Sequence, residues 1–289
     1  MEVIPVAGAL GAEIHDVDLR DPDLDVTALR DAILMHQVVF IPGASLTEEE
    51  HFALGRRLGE PSIFPVARLM GETSPTMTVL EDGPDSPNSA DLWHTDVTWT
   101  ATPPAFALLH MELSPEVGGD TLWCSATAAY DALSPLMQDF LCGLTVTHDN
   151  AGFVRRLIEK VGDPDHPLVE GLRRDYPAVV HPMIRTHPET GRRSILWAGN
   201  FISHINELTE TEGRTVLDMI DAHVQDPRFH VRWRWTDGDL AIWDERSTLH
   251  RAAADHWPQR RVIRRCEIDG DRPYFDPDRQ PVASQGVAR

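Results

Sequence analysis

His94 and Asp96 are separated by a single residue, and no other feature restricts the fold as much. In an extended strand, positions i and i+2 project from the same face, so this spacing sets an imidazole beside a carboxylate. One distant histidine, His250, completes a set of two histidines and one carboxylate. Such a set leaves several metal positions open, which suits non-haem Fe(II) that must also hold a chelating cosubstrate and oxygen.

The chain around these residues reads as many short strands with a few helices. Val38–Ile41, Ala105–Leu113, Thr121–Cys124, Val179–Arg185, Ser194–Trp197, Phe229–Trp235, Leu240–Trp243 and Arg261–Ile268 have strand character, with further short strands between residues 3 and 18. Leu29 and Ile33 give Leu24–Gln37 a helical spacing. Thr47-x-x-Glu50 and Thr209-x-x-Glu212 are capping boxes that open helices. Ser134-Pro135 starts another, with proline at its first position. This pattern predicts a mainly β protein with flanking helices, a barrel or jelly roll. A single domain over residues 1–289 is expected, with loop inserts near 59–92 and 149–177. The first insert precedes His94 directly and is a candidate lid.

Composition narrows the partners. A formal net charge of -20 argues against nucleic acid and anionic membranes, which are bound through positive patches. Lys160 is the only lysine, so nearly every cation is an arginine. Cys124, Cys142 and Cys266 are odd in number and lack C-x-x-C spacing, which fits a reducing cytoplasm. No apolar run approaches the roughly 18 residues of a membrane span, and no signal peptide is apparent.

Six motifs then stand in order: Trp93-His94-Thr95-Asp96, Gly118-Gly119-Asp120-Thr121-Leu122-Trp123, His181-Pro182 with His187-Pro188-Glu189-Thr190-Gly191, Gly238-Asp239-Leu240-Ala241-Ile242-Trp243-Asp244, Thr248-Leu249-His250-Arg251-Ala252, and Arg260 to Arg265. Together they resemble the taurine dioxygenase / 2,4-dichlorophenoxyacetate dioxygenase family of Fe(II)- and 2-oxoglutarate-dependent oxygenases, from about residue 3 to Phe275. The resemblance implies a double-stranded β-helix in which His94, Asp96 and His250 bind iron and act as the catalytic centre. It implies that Arg261 and Thr121 hold the distal carboxylate of 2-oxoglutarate, chemistry that suits a guanidinium fork and a hydroxyl donor. Arg265, on the same strand face as Arg261, is expected near the 1-carboxylate and an anionic group of the substrate. Arg260 and Arg264 are expected to face solvent.

The implied reaction consumes 2-oxoglutarate and O2, releases succinate and CO2, and hydroxylates a small-molecule substrate. Where the hydroxylated carbon bears a heteroatom, the bond to it is expected to break. The carboxylate of Asp96 favours hydroxylation over halogenation. Taurine itself is not expected, because Phe64 stands where taurine enzymes place a histidine before proline, and Ser89 and Ala90 replace polar residues ahead of Trp93. Phe64 as a wall suits a larger or aromatic acid, and the expected substrate is a small organic acid: a sulfonate, a sulfate ester, an aryloxyalkanoate or an amino-acid-derived acid. Desaturation or cyclisation with the same cofactors, and a metal hydrolase on a similar barrel, are the alternatives. A homodimer or homotetramer is plausible from the resemblance. Trp93, Trp99, Trp123, Trp197 and Trp243 are expected to pack in the core, and His36, His51, His223 and His256 to lie at surfaces or edges.

Overall fold

Alternation along the strands decides the architecture, because the central strands β3, β5 and β13 each carry apolar residues on both faces. The computed structural model describes residues 1–84 and 90–282. In chain order it forms β1 (Glu2–Pro5), β2 (Ala12–His15), α1 (Val26–His36), β3 (Val38–Ile41), α2 (Glu48–Leu58), α3 (Pro65–Leu69), β4 (Thr78–Asp82), β5 (Phe106–Leu113) and β6 (Thr121–Ser125). There follow α4 (Ala126–Asp131), α5 (Pro135–Cys142), β7 (Thr145–His148), α6 (Ala151–Val161), α7 (Pro167–Asp175), β8 (Val179–Pro182), β9 (Ile184–Thr186) and β10 (Arg193–Ile195). The chain closes with β11 (Ile202–Ile205), α8 (Glu210–Val224), β12 (His230–Trp233), β13 (Leu240–Asp244), β14 (Thr248–Ala252) and β15 (Arg261–Ile268).

One sheet runs β1-β2-β3-β13-β5-β15-β4, and smaller sheets run β12-β6-β14, β11-β7-β8 and β10-β9. On the large sheet, Val38 and Phe40 of β3, Ala107 and Leu109 of β5, and Ala241 and Trp243 of β13 form one core with Trp123 and Val231 of the β12-β6-β14 sheet. Phe40 and Trp123 meet edge to face at 5.3 Å, and Trp123 meets Trp243 at 5.6 Å. The alternate residues, Val39, Ile41, Leu108, Leu240 and Ile242, pack instead with Leu29 and Ile33 of α1 and Leu54 and Leu58 of α2. The large sheet is thus covered on one face by helices and on the other by a second sheet. A third cluster seats α8 and α4 behind β6 and β7 through Ile220, Val224, Ala129 and Val146. Both capping boxes form, with the Thr47 and Thr209 side chains accepting from Glu50 and Glu212 N–H. All five tryptophans named above are buried.

Several sequence expectations are corrected. The insert at 59–92 contains α3 and the edge strand β4, which pairs with β15. Part of the expected lid, residues 85–89 with Ser89, lies outside the described residues. The insert at 149–177, expected to be mobile or partly helical, is mostly helical, forming α6 and α7. Both inserts meet: Leu69 of α3, Val154 of α6, Val169 and Leu172 of α7, and Phe64 pack with Val97 and Trp99, just past Asp96. His51 and His256 are buried, not at an edge. Arg264 is also buried, bonded to Glu112 and to the Leu46 carbonyl, because the outer face of β15 lies under α2 rather than in water. Arg260 is exposed as expected, paired with Glu81.

Candidate active site

The backbone brings the two distant histidines together before any side chain is considered. His94 and His250 form an isolated antiparallel bridge, with His94 N–H donating to His250 O at 3.1 Å and His250 N–H to His94 O at 2.9 Å. β14 in turn pairs with β6, setting His250 opposite Trp123. Beyond His94 the expected strand does not continue. Asp96 opens a turn, and Val97 has a φ of 51°. That turn is pinned by Thr95, whose N–H donates to Trp197 O at 3.0 Å and whose hydroxyl donates to Thr248 O at 3.1 Å. The carboxylate still reaches the imidazole, with Asp96 Oδ1 3.3 Å from His94 Nε2. His250 Nε2 lies 3.9 Å from Asp96 Oδ2. One ligand atom from each of His94, Asp96 and His250 falls within 4.8 Å of the others.

These donors suit a divalent metal. His94 Nδ1 lies 2.7 Å from the Leu92 carbonyl, which only accepts, so Nδ1 donates there and Nε2, turned toward Asp96, is the candidate ligand atom. Burial, with His94 beside it, pushes His250 down to about 3, so its imidazole is neutral and able to ligate. Burial would raise Asp96, but the Arg265 guanidinium, aided by His250 and His94, holds it well below the usual carboxylate range. Arg265 Nη1 donates to Asp96 Oδ2 at 2.7 Å, and its guanidinium lies 5.7 Å from the Phe64 ring centre.

His94 and His250 also line a cavity of about 150 Å³, shared with Arg261, Arg265 and Thr121. Arg261, Ile263 and Arg265 are alternate residues of β15, so all three face it. Arg261 is buried, yet its Nε and Nη1 have no hydrogen-bond partner, and Asp82 Oδ2 stands 3.9 Å from Nη1. A buried guanidinium in that condition suits an incoming anion. Thr121 Oγ1 accepts from Trp235 Nε1 at 2.9 Å, which leaves its own hydrogen to donate. Gly118 and Gly119 lead into Thr121 with φ of 80° and 73°, and a Cβ on Gly119 would meet the Pro115 ring at 2.7 Å.

Two carboxylates here escaped the sequence reading. Glu245 is buried between Asp96 N–H, which donates to its Oε2 at 3.1 Å, and Trp243 Nε1, which donates to its Oε1 at 2.7 Å. Burial and the Asp96 charge push Glu245 well above the ordinary carboxylate value. Glu267 is buried with its Oε2 3.6 Å from Arg265 Nη2. The alternation that pairs Arg261 with Arg265 extends to Glu267, which is where the signal lay.

Solved structures and sequences narrow the class. The structure of a taurine dioxygenase from Burkholderia xenovorans has a TM-score of 0.78 at 31% identity, covering 97% of this chain and 94% of that one. An alpha-ketoglutarate-dependent sulfate ester dioxygenase of Pseudomonas putida is 34% identical over 289 residues, 94% of this chain and 91% of the relative. The alpha-ketoglutarate-dependent 2,4-dichlorophenoxyacetate dioxygenase of Cupriavidus pinatubonensis is 30% identical, covering 91% of this chain and 95% of its own. The protein is an alpha-ketoglutarate-dependent dioxygenase. Residues 2–266 match the taurine catabolism dioxygenase TauD, TfdA family, and the chain belongs to it.

Proposed function

We propose that His94, Asp96 and His250 hold Fe(II), that Arg261 and Thr121 anchor 2-oxoglutarate in the adjoining cavity, and that the enzyme hydroxylates a small anionic organic substrate. The carrying observation is one cavity that joins two of the three clustered candidate ligands, His94 and His250, to a buried guanidinium whose Nε and Nη1 lack hydrogen-bond partners among the described residues. The facing sheets support a double-stranded β-helix, and a large sheet with strands from both ends of the chain supports a single domain.

Bound there, Fe(II) with 2-oxoglutarate supplies the oxidising chemistry that puts one oxygen atom of O2 into a C–H bond as 2-oxoglutarate becomes succinate and CO2. The chain's residues set the stage for it. The Leu92 carbonyl fixes the His94 tautomer. Glu245 fixes the backbone of Asp96, and Arg265 steadies its carboxylate. Arg261 meets a carboxylate as a fork, and the Thr121 hydroxyl adds one donor. Leu109, Trp243 and Ile263 wall the cavity against water. Sulfate esters and aryloxyalkanoates, named for the relatives, and sulfonates or amino-acid-derived acids are the substrate classes that fit. Phe64 and Val97 would face the substrate from the outer side.

The test is an anaerobic titration of Fe(II) and 2-oxoglutarate into metal-free protein, followed by the visible charge-transfer absorption of the chelate. Wild type is expected to develop the band and His250→Ala to lose it. Bound metal without a band in wild type would overturn the assignment.

A further inference from the structure

A second cavity, of about 710 Å³, opens beyond the metal site, and its lining differs in kind. Val97, the residue after Asp96, lines it, as does Phe64, whose ring stands over Arg265. Its walls are aromatic. Trp99 and Tyr176 meet at right angles, 85° with ring centres 5.4 Å apart, and Phe64 adds a third ring. Its charges among the described residues are mostly negative: Asp175, Glu267 and Asp269 against Arg68. Asp175 is already held by Arg174 at 2.6 Å. Glu267 is different, for it is only 6% exposed and its Oε1 has no hydrogen-bond partner. Its nearby cation, Arg265, stands 3.6 Å from the other oxygen through Nη2 and bonds Asp96 through Nη1.

Aromatic faces beside a carboxylate short of donors are the chemistry that recognises an organic cation. We propose that this cavity is a binding subsite for a positively charged nitrogen, an ammonium group on the end of the substrate remote from the reacting carbon, with Glu267 as its counter-ion. The inference rests on the proposed oxygenase reading and refines it: besides its anionic group, the substrate carries an ammonium terminus that reaches Glu267. Burial, opposed by Arg265 and reinforced by Asp96, pushes Glu267 up to about 7, as expected of a carboxyl awaiting a partner.

The test uses metal-free protein, so it stands apart from the iron assignment. Isothermal calorimetry at pH 8 compares n-hexylammonium with 1-hexanol, the same chain without charge, on wild type and Glu267→Gln. Wild type is expected to bind the ammonium at least about tenfold more tightly, as a charge-assisted hydrogen bond gives. Glu267→Gln should erase that preference and keep hexanol affinity. Hexanol binding as well as hexylammonium in wild type would overturn the proposal without reference to any variant. A preference that survives in a folded Glu267→Gln protein would overturn the role of Glu267. The anaerobic chelate band fails or persists independently, so the two readings fall separately.

Discussion

The two cavities share one strand and little else. Along β15, Arg261, Ile263 and Arg265 face the inner cavity of about 150 Å³, and Glu267, two residues on, lines the outer one of about 710 Å³. The inner cavity is walled by strands of the two facing sheets and carries two arginines. The outer one is walled by α3, the turn after Asp96 and the segment following α7, and carries mostly acids. A small cavity walled by strands, the proposed cosubstrate site, sits behind a larger one built mostly from inserts, which are the parts of a fold most open to change. The polarity of charge reverses between them, so a single cofactor chemistry can be joined to substrates of another character.

Removing the inner cation should give the largest break. Arg261→Gln is expected to weaken 2-oxoglutarate binding by about 100-fold in the anaerobic titration, the loss of a charge-assisted fork. Metal-free Arg261→Gln should melt no lower than wild type, because burial already disfavours this cation and two of its nitrogens are unpaired. A weakening of less than about threefold would detach the inner cavity from the cosubstrate.

The outer acid should show itself through pH. Folded, Glu267 keeps its proton up to about 7, against an ordinary value of 4.5. Between those values the folded chain holds a proton that the unfolded chain has released, so metal-free stability falls as pH rises through that window. The fall is on the order of 3 kcal/mol if the whole shift is realised. Glu245, also raised, acts in the same direction, whereas Asp96 and Asp244 are depressed and lose their contribution only as pH drops below the ordinary carboxylate range. Chemical denaturation of wild type and Glu267→Gln across pH 4.5–7 should give a shallower slope for the variant. Equal slopes would remove the buried acid from the outer cavity's account.

A milder change separates the cavities by substrate. Phe64→Ala removes the ring over Arg265 and an edge contact with Phe153 at 6.3 Å. It should leave 2-oxoglutarate affinity within about twofold and raise the substrate KM about fivefold, the scale of one cation–π contact near ~1 kcal/mol. An equal loss at both would mean that Phe64 supports the metal site rather than the substrate.

The same contrast explains what the sequence disclosed. The inner site was legible because strands convert spacing into direction: His94 with Asp96, and Arg261 with Arg265, each differ by an even number. Even there, the route was different from the expectation, since His94 is held by a one-residue bridge and Asp96 by a turn. The outer site was not legible. Its walls join residues near 64, 99, 176 and 267, and polar inserts rich in proline carry no period that predicts α3 packing on α7. Arg264 and His51 were misjudged for a related reason. Their charge or polarity pointed to water, and only the placement of α2 over β15 buries them.

Neighbouring arginines give the smallest and most local test. Arg260 and Arg261 are adjacent, so β15 turns them to opposite faces. Arg260 pairs with Glu81 at 2.6 Å, with both side chains more than half exposed. Exposed pairs gain little, because water and salt screen them and both chains lose rotamer freedom. Arg260→Gln should therefore leave melting temperature, 2-oxoglutarate affinity and turnover unchanged within error, while the same substitution one residue later weakens cosubstrate binding by about 100-fold. If Arg260→Gln also weakened 2-oxoglutarate, the effect of Arg261→Gln would belong to disturbance of the β4–β15 edge, and the inner cavity would lose its claim to the cosubstrate's distal carboxylate.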